Sequence, residues 1–203
     1  MNTYKLTYFN VRGIGEPIRM ILTYAGKDFD DIRIEREHWV QLKPKTPFGK
    51  LPTLEIDGKV LHQSVAICRY LGEEAGLGGN NNWENLEIDM IAETVQDIKN
   101  IMSHFYRQLD DESREKKRPE LLNETIPFYL ERFDNIIKNN GGYFVNNKLT
   151  WVDFYFAGFS ETIEGMLNEK ICENYPNISQ HRKKLYNIPE IQNWISNRPS
   201  TTI

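Results

Sequence analysis

Tyr4-Lys-Leu-Thr-Tyr8, running directly into Phe9-Asn-Val-Arg-Gly13-Ile-Gly15 and then Glu16-Pro17, is the stretch that decides the fold. Its first part alternates and predicts a strand. Its middle predicts a turn. Glu16–Ala25 predicts a helix, with Pro17 in the first turn, Ile18, Ile21, Leu22 and Ala25 as the apolar stripe, and Gly26 as the stop. The phenol of Tyr8 is thereby placed at the carboxyl end of a strand, beside a helix N-terminus. Open α/β sheets bind their ligands at such places.

Outward from this unit, Asp31-Ile-Arg-Ile-Glu35 alternates again and predicts a second strand. Thr53–Ile56 and Val60–His62 flank Asp57-Gly58-Lys59, a hairpin signal. Ser64 can cap a helix that buries Val65, Ile67, Cys68 and Leu71 and ends near Gly76. The order is β-α-β followed by β-β-α. Gly76-Leu-Gly-Gly-Asn-Asn-Asn82 is a cluster of breakers, so a linker is expected at 77–82 between a mixed unit, 1–76, and a second unit, 83–203. Strand signals vanish beyond it. Leu86, Met90, Ile91, Val95, Ile98, Met102 and Phe105 recur at helical spacing. Leu121–Lys138 predicts another long helix, kinked at Pro127. Thr150-Trp-Val-Asp153 has capping-box spacing, with Asp in the usual Glu or Gln position, before an aromatic helix. Shorter helices are expected around Ile178–Tyr186 and Pro189–Asn197. The second unit is all α.

The 203 residues are 39% apolar and 27% charged, enough for a sizeable core. The net charge of −4 and the pI near 5.7 argue against general nucleic-acid binding. Arg114-Glu-Lys-Lys-Arg118 reads as a solvated helix end or loop. Neither a signal peptide nor a membrane span is expected, and two cysteines, Cys68 and Cys172, fit a reducing cytoplasm. Asn123-Glu-Thr125 and Asn177-Ile-Ser179 match the glycosylation pattern by chance on this reading. His38, His62, His104 and His181 lack metal-ligand spacing. Gly13-Ile-Gly15 lacks the third glycine of a dinucleotide loop, because position 18 is Ile.

Four places could carry chemistry. In Pro47-Phe-Gly-Lys-Leu51-Pro52, a cis Leu51–Pro52 bond would turn the Leu51 main chain outward to grip an extended peptide; the alternative is a plain loop. Gln63-Ser64 opens a helix and is either an anion site or a simple cap. Trp39 and Lys43 could hold a carboxylate, or be a buried anchor and a surface lysine. Together these groups fit a small dianionic peptide with a thiol between its ends. If the chain is a scaffold for thiol chemistry, the absence of a CxxC pair means that the thiol arrives with the ligand. Tyr8 then acquires a chemical role, since a protonated phenol donates to the sulfur and favours the thiolate. The alternative is a strand tyrosine bonded to a backbone carbonyl.

Tyr4–Gly13, Pro47–Pro52, Leu61-His-Gln-Ser-Val-Ala-Ile67, Leu149-Thr-Trp-Val-Asp-Phe-Tyr155 and Asn197-Arg-Pro199 span nearly the whole chain. In combination they resemble the cytosolic glutathione transferases, and most the sigma class of invertebrates, insects in particular. The resemblance implies a thioredoxin-like α/β N-terminal domain, an all-α C-terminal domain and a cytoplasmic homodimer with glutathione as co-substrate and no required metal. It implies that Tyr8 stabilises the thiolate and that Leu51, before cis-Pro52, pairs with the cysteinyl backbone. Gln63 and Ser64 would take the γ-glutamyl carboxylate, and Trp39, Lys43 and Lys50 would lie near the glycyl end. Asp97 would reach in from the partner subunit to the γ-glutamyl amine. The electrophile pocket would include Phe9, Ile14 and His104. The expected activity is conjugation of glutathione to apolar electrophiles such as lipid peroxidation products, a detoxification role, with peroxidase or isomerase side activity.

Two relatives within the resemblance offer other readings. Haematopoietic prostaglandin D synthases usually carry Arg where this chain has Ile14. They carry three acids where it has Glu93, Gln96 and Asp97, and hard cations want several oxygen ligands. Lens crystallins of the class are structural proteins, usually with an insertion where the segment from Asp110 to Pro119 is short here.

Overall fold

Alternation along β1 (Tyr4–Phe9) buries Tyr4, Leu6 and Tyr8 while Lys5 stays exposed. The computed structural model describes residues 2–107 and 109–201; residues 202 and 203, at the end of the expected second unit, lie outside it. β1 runs parallel to β2 (Phe29–Ile34) and antiparallel to β3 (Thr53–Ile56), which pairs with β4 (Lys59–His62), giving the order β2-β1-β3-β4. β2 starts two residues before the expected Asp31 and ends at Ile34. Between β1 and β2 lies α1 (Glu16–Tyr24), and α3 (Ser64–Glu74) follows the hairpin. The stretch carrying Trp39 is a run of short turns: 3-10 turns at Arg36–His38, Lys43–Lys45 and Pro47–Gly49, with α2 (Trp39–Leu42) among them.

The C-terminal half is helical: α4 (Asn82–Arg107), α5 (Asp111–Glu120), α6 (Ile126–Asn139), α7 (Trp151–Leu167), α8 (Pro176–Tyr186) and α9 (Pro189–Asn197). The basic run 114–118 lies inside α5. The single helix expected over Leu121–Lys138 is instead a π-turn, Leu121–Thr125, followed by α6. Pro127 follows the π-turn in backbone that stays helical through Thr125 and Ile126, and lacking an N–H it cannot make the regular α bond there, so the departure from α geometry falls beside it.

α7 is buried along nearly its whole length and is the central helix. Trp151, Val152, Phe154, Tyr155, Phe156 and Ala157 are all buried. Phe133, Phe144 and Phe156 meet edge-to-face at 5.0–5.5 Å, each pair worth ~0.5–1.5 kcal/mol beyond its burial. α7 packs against α1 of the first domain, where a side chain at Gly158 would come within 3.0 Å of Pro17. The capping box forms: Asp153 Oδ2 accepts from the Thr150 amide at 2.7 Å and the Thr150 hydroxyl at 2.8 Å. Its Oδ1 accepts from the Phe144 amide at 3.1 Å and lies 2.8 Å from His181 Nε2.

α4 carries two apolar stripes. Ile88, Ala92, Val95, Ile98, Met102 and Phe105 face the core. Leu86 and Met90, which recur at helical spacing with that stripe, belong instead with Trp83 to an exposed one: Trp83 is 68% and Met90 59% exposed.

Candidate active site

Tyr8 leaves the end of β1 with its ring against the turn Gly13–Gly15. The two glycines make that possible. A Cβ at Gly13 would stand 2.6 Å from Tyr8 Oη, and one at Gly15 2.5 Å from Cδ1. Gly13 also has φ +47°, which L side chains rarely adopt. The pair read as an incomplete nucleotide loop is therefore the seat of the phenol. Tyr8 Oη accepts a hydrogen bond from the Ile14 amide at 3.4 Å. Burial raises the Tyr8 pKa, against the lowering effect of that amide and of the Arg107 and Arg19 charges. The phenol is therefore protonated at neutral pH and available as a donor.

Tyr8 opens onto a cavity of about 950 Å³. Phe9, Ile14, Trp39, Lys43, Lys50, Leu51, Pro52, Gln63 and Ser64 line it, so the structure brings these expected residues together. The Leu51–Pro52 bond is cis, and Leu51 lies just ahead of the first β1–β3 pair, Thr7 with Thr53. Gln63 has φ +72°, a costly conformation for a residue with a side chain. It directs the chain into α3, whose first residue is Ser64. Trp39 packs edge-to-face on Phe9 at 5.5 Å.

The opposite wall is a stripe of α4: Gln96, Lys99, Met102, Ser103, Tyr106 and Arg107, at helical intervals that share one face. Phe159, Thr162 and Met166 of α7 complete it. Gln96, the amide between Glu93 and Asp97 on α4, accepts from Tyr155 Oη at 2.8 Å, with Ser64 beside that hydroxyl. Among the described residues, no cluster of three or more His, Cys, Asp or Glu is arranged to hold a metal ion. Asp97 and His104 are exposed on α4 and are not among the cavity's lining residues. Cys68 and Cys172 are free and buried, and burial pushes the Cys172 thiol up to about 12 and that of Cys68 higher still. Neither supplies a reactive sulfur.

The groups sequence reasoning missed are Gly13 and Gly15 as a seat, Lys99, and Arg107. The glycines carry a signal in retrospect: two glycines two apart, immediately after a strand-end aromatic residue. Lys99 and Arg107 had only their spacing from Gln96, which becomes informative once the rotation of α4 is known.

Residues 4–73 match the glutathione S-transferase N-terminal domain, and residues 96–198 the C-terminal domain. A glutathione S-transferase of Anopheles gambiae is 43% identical over 203 residues, covering all of both chains. The hematopoietic prostaglandin D synthase of Homo sapiens is 38% identical, again over the full length of both. A solved structure of prostaglandin synthase D of Nilaparvata lugens superposes with a TM-score of 0.95 at 47% identity, covering 98% of this chain and 100% of that one. With the sheet order, the helical second half and the lined cavity, these matches show that the chain belongs to the glutathione S-transferase family.

Proposed function

We propose that this protein binds glutathione across the sheet edge and joins its sulfur to apolar electrophiles. The observation that carries the reading is the buried, protonated Tyr8 facing a cavity that also presents Leu51, Gln63 and Ser64. The peptide's two carboxylates have two receptors. The amides at the start of α3, with the Ser64 hydroxyl, suit the γ-glutamyl end, since a helix N-terminus favours anions. Lys43, Lys50 and the Trp39 indole suit the glycyl end. Between them the Leu51 main chain pairs with the cysteinyl backbone as an added strand does.

A free thiol has a pKa of about 8.5, so only a few per cent is thiolate at neutral pH. A hydrogen bond from the phenol to the sulfur, worth ~1.5–3 kcal/mol, lowers that pKa by about one to two units. The thiolate then attacks the electrophile held against α4 and α7. With an enone acceptor, a sulfur–carbon bond forms at the β-carbon, the double-bond electrons pass to the carbonyl oxygen, and the enolate takes a proton from solvent. Holding the partners side by side removes the cost of a bimolecular encounter. Replacing Tyr8 by Phe preserves the packing and removes the donor. Conjugation of chlorodinitrobenzene is expected to fall about tenfold or more near neutral pH, with glutathione affinity nearly unchanged; an unaltered rate would falsify the role.

The exposed stripe Trp83, Leu86 and Met90 supports a homodimer, in which Asp97 of one subunit reaches the γ-glutamyl amine of the other. Sedimentation at micromolar concentration is expected to give a species of twice 23.9 kDa; a monomer under those conditions would discard both statements. Two buried free thiols fit residence in a reducing cytoplasm and a detoxifying role there, which cell fractionation tests. Sigma-class membership rests on the motifs around Tyr8, Pro52 and Ser64 together with the insect relatives, and a phylogeny placing the chain outside that class would remove it. Similarity to two prostaglandin D synthases supports isomerisation as a second activity. Ile14 and Gln96 weigh against it, and product analysis with a prostaglandin endoperoxide separates the two.

A further inference from the structure

The charge inside the cavity is at odds with the charge of the chain. The whole sequence carries −4. Yet the described lining residues include Arg36, Lys43, Lys50, Lys99 and Arg107, and no Asp or Glu. Three of these cations, Arg36, Lys43 and Lys50, lie on the N-terminal domain with the proposed glycyl-end groups. Glutathione brings one ammonium against its two carboxylates, so the N-terminal cations and the α3 amides suffice for it.

Lys99 and Arg107 are different. They stand on α4, eight residues apart, roughly 12 Å along the axis, on the stripe that also carries Met102 and Tyr106. Phe159 and Met166 of α7 line the same chamber. Among the described residues neither cation forms an ion pair, whereas Arg12, Arg19, Arg33, Arg69, Arg114, Arg118, Arg182 and Arg198 all have an acid partner. Lys99 is half-buried, and burial, with Lys50 and Arg107 nearby, pulls its pKa down. Such an ammonium is stabilised by an anion that enters the chamber.

We propose that Lys99 and Arg107 form an anion subsite in the acceptor chamber, so that the preferred electrophile is a long apolar chain ending in a carboxylate, such as an enone fatty acid. The apolar α7 wall takes the chain and the two cations take its charged end. Thiolate attack on the enone is the addition described above, and the carboxylate takes no part in it. This inference rests on the transferase reading for its chemistry but not for its binding.

The test compares a long-chain enone fatty acid with its methyl ester, in the wild type and in the double variant Lys99→Met, Arg107→Gln. In the wild type, kcat/KM for the acid is expected to exceed that for the ester by about tenfold, the factor that corresponds to ~1.4 kcal/mol. In the double variant the acid-to-ester ratio is expected to fall toward one, while Lys99→Arg retains it. A ratio near one in the wild type, or a ratio unmoved in the double variant, overturns the subsite. If the wild type conjugates neither enone nor chlorodinitrobenzene, the transferase reading fails separately. The subsite is then decided by calorimetry on the glutathione-loaded protein with a saturated fatty acid and its methyl ester. Tighter binding of the acid that is lost in the double variant upholds the subsite; equal binding overturns it.

Discussion

At the scale of the residue, the role proposed for Tyr8 depends on its remaining protonated. Burial raises its pKa, so the phenol does not compete with the sulfur for ionisation. A pH signature follows. With glutathione saturating, kcat/KM for the electrophile rises as the bound thiol ionises, and the rise is expected below the free-thiol value of ~8.5. In Tyr8→Phe the rising limb is expected to move up toward ~8.5. The deficit is then largest at mildly acidic pH and shrinks in alkali. A deficit equal at every pH would mean that the phenol positions the peptide rather than ionising it. The neighbouring glycines show where sequence reading stops. Strand-end placement made Tyr8 legible. Gly13 and Gly15 were not, because their reason is a clash with a ring that only the folded turn brings over them.

At the scale of the element, sequence patterns were most legible where one local rule decides the outcome. The hairpin around Asp57-Gly58 and the buried face of α3 were readable because period and turn chemistry agree. The capping box was readable because spacing alone specifies it. It also carries more than a cap: Asp153 is fully buried and also holds the Phe144 amide and the ring of His181. Asp153→Ala is expected to destabilise the protein by ~3–5 kcal/mol, since several buried polar groups lose their partner together. Urea unfolding measures this, and a loss below ~1 kcal/mol would reduce Asp153 to an ordinary cap. The π-turn Leu121–Thr125 was not legible. Nothing in Leu-Leu-Asn-Glu-Thr forbids an α-helix, and the turn type is not a property of these five residues taken alone. The two stripes of α4 are a related case: helical periodicity marks the helix but not which of its apolar residues face the core.

At the scale of the whole molecule, the two domains are tied by a charge cluster as well as by apolar packing. Glu16 of α1 is buried; it accepts from Trp194 Nε1 at 2.7 Å and pairs with Arg198 at 2.7 Å and Arg19 at 3.1 Å. Arg198 also meets Glu161 of α7 at 2.9 Å. Burial alone would raise the Glu16 pKa, but Arg19, Arg198 and the indole hold it below the ordinary value. A carboxylate with a depressed folded pKa stabilises the protein above its unfolded value of ~4.3 and loses that contribution as pH falls through the folded pKa. Arg198→Met removes one of the lowering charges. Its acid-unfolding midpoint is expected to move to higher pH, with a larger loss of stability at neutral pH than in acid, where Glu16 is protonated and its pairing with Arg198 is lost in either protein. A variant that lowers stability equally at all pH values would show that Arg198 contributes packing and not charge.

The same cluster has a consequence for the order in which the molecule is made. Glu16 leaves the ribosome long before its partners Trp194 and Arg198, which follow 178 and 182 positions later. Throughout synthesis the first helix therefore waits with its acid only partly answered. A nascent chain halted before that point would carry a completed sheet and an unfinished seal, a mark by which quality control could tell it from the finished enzyme.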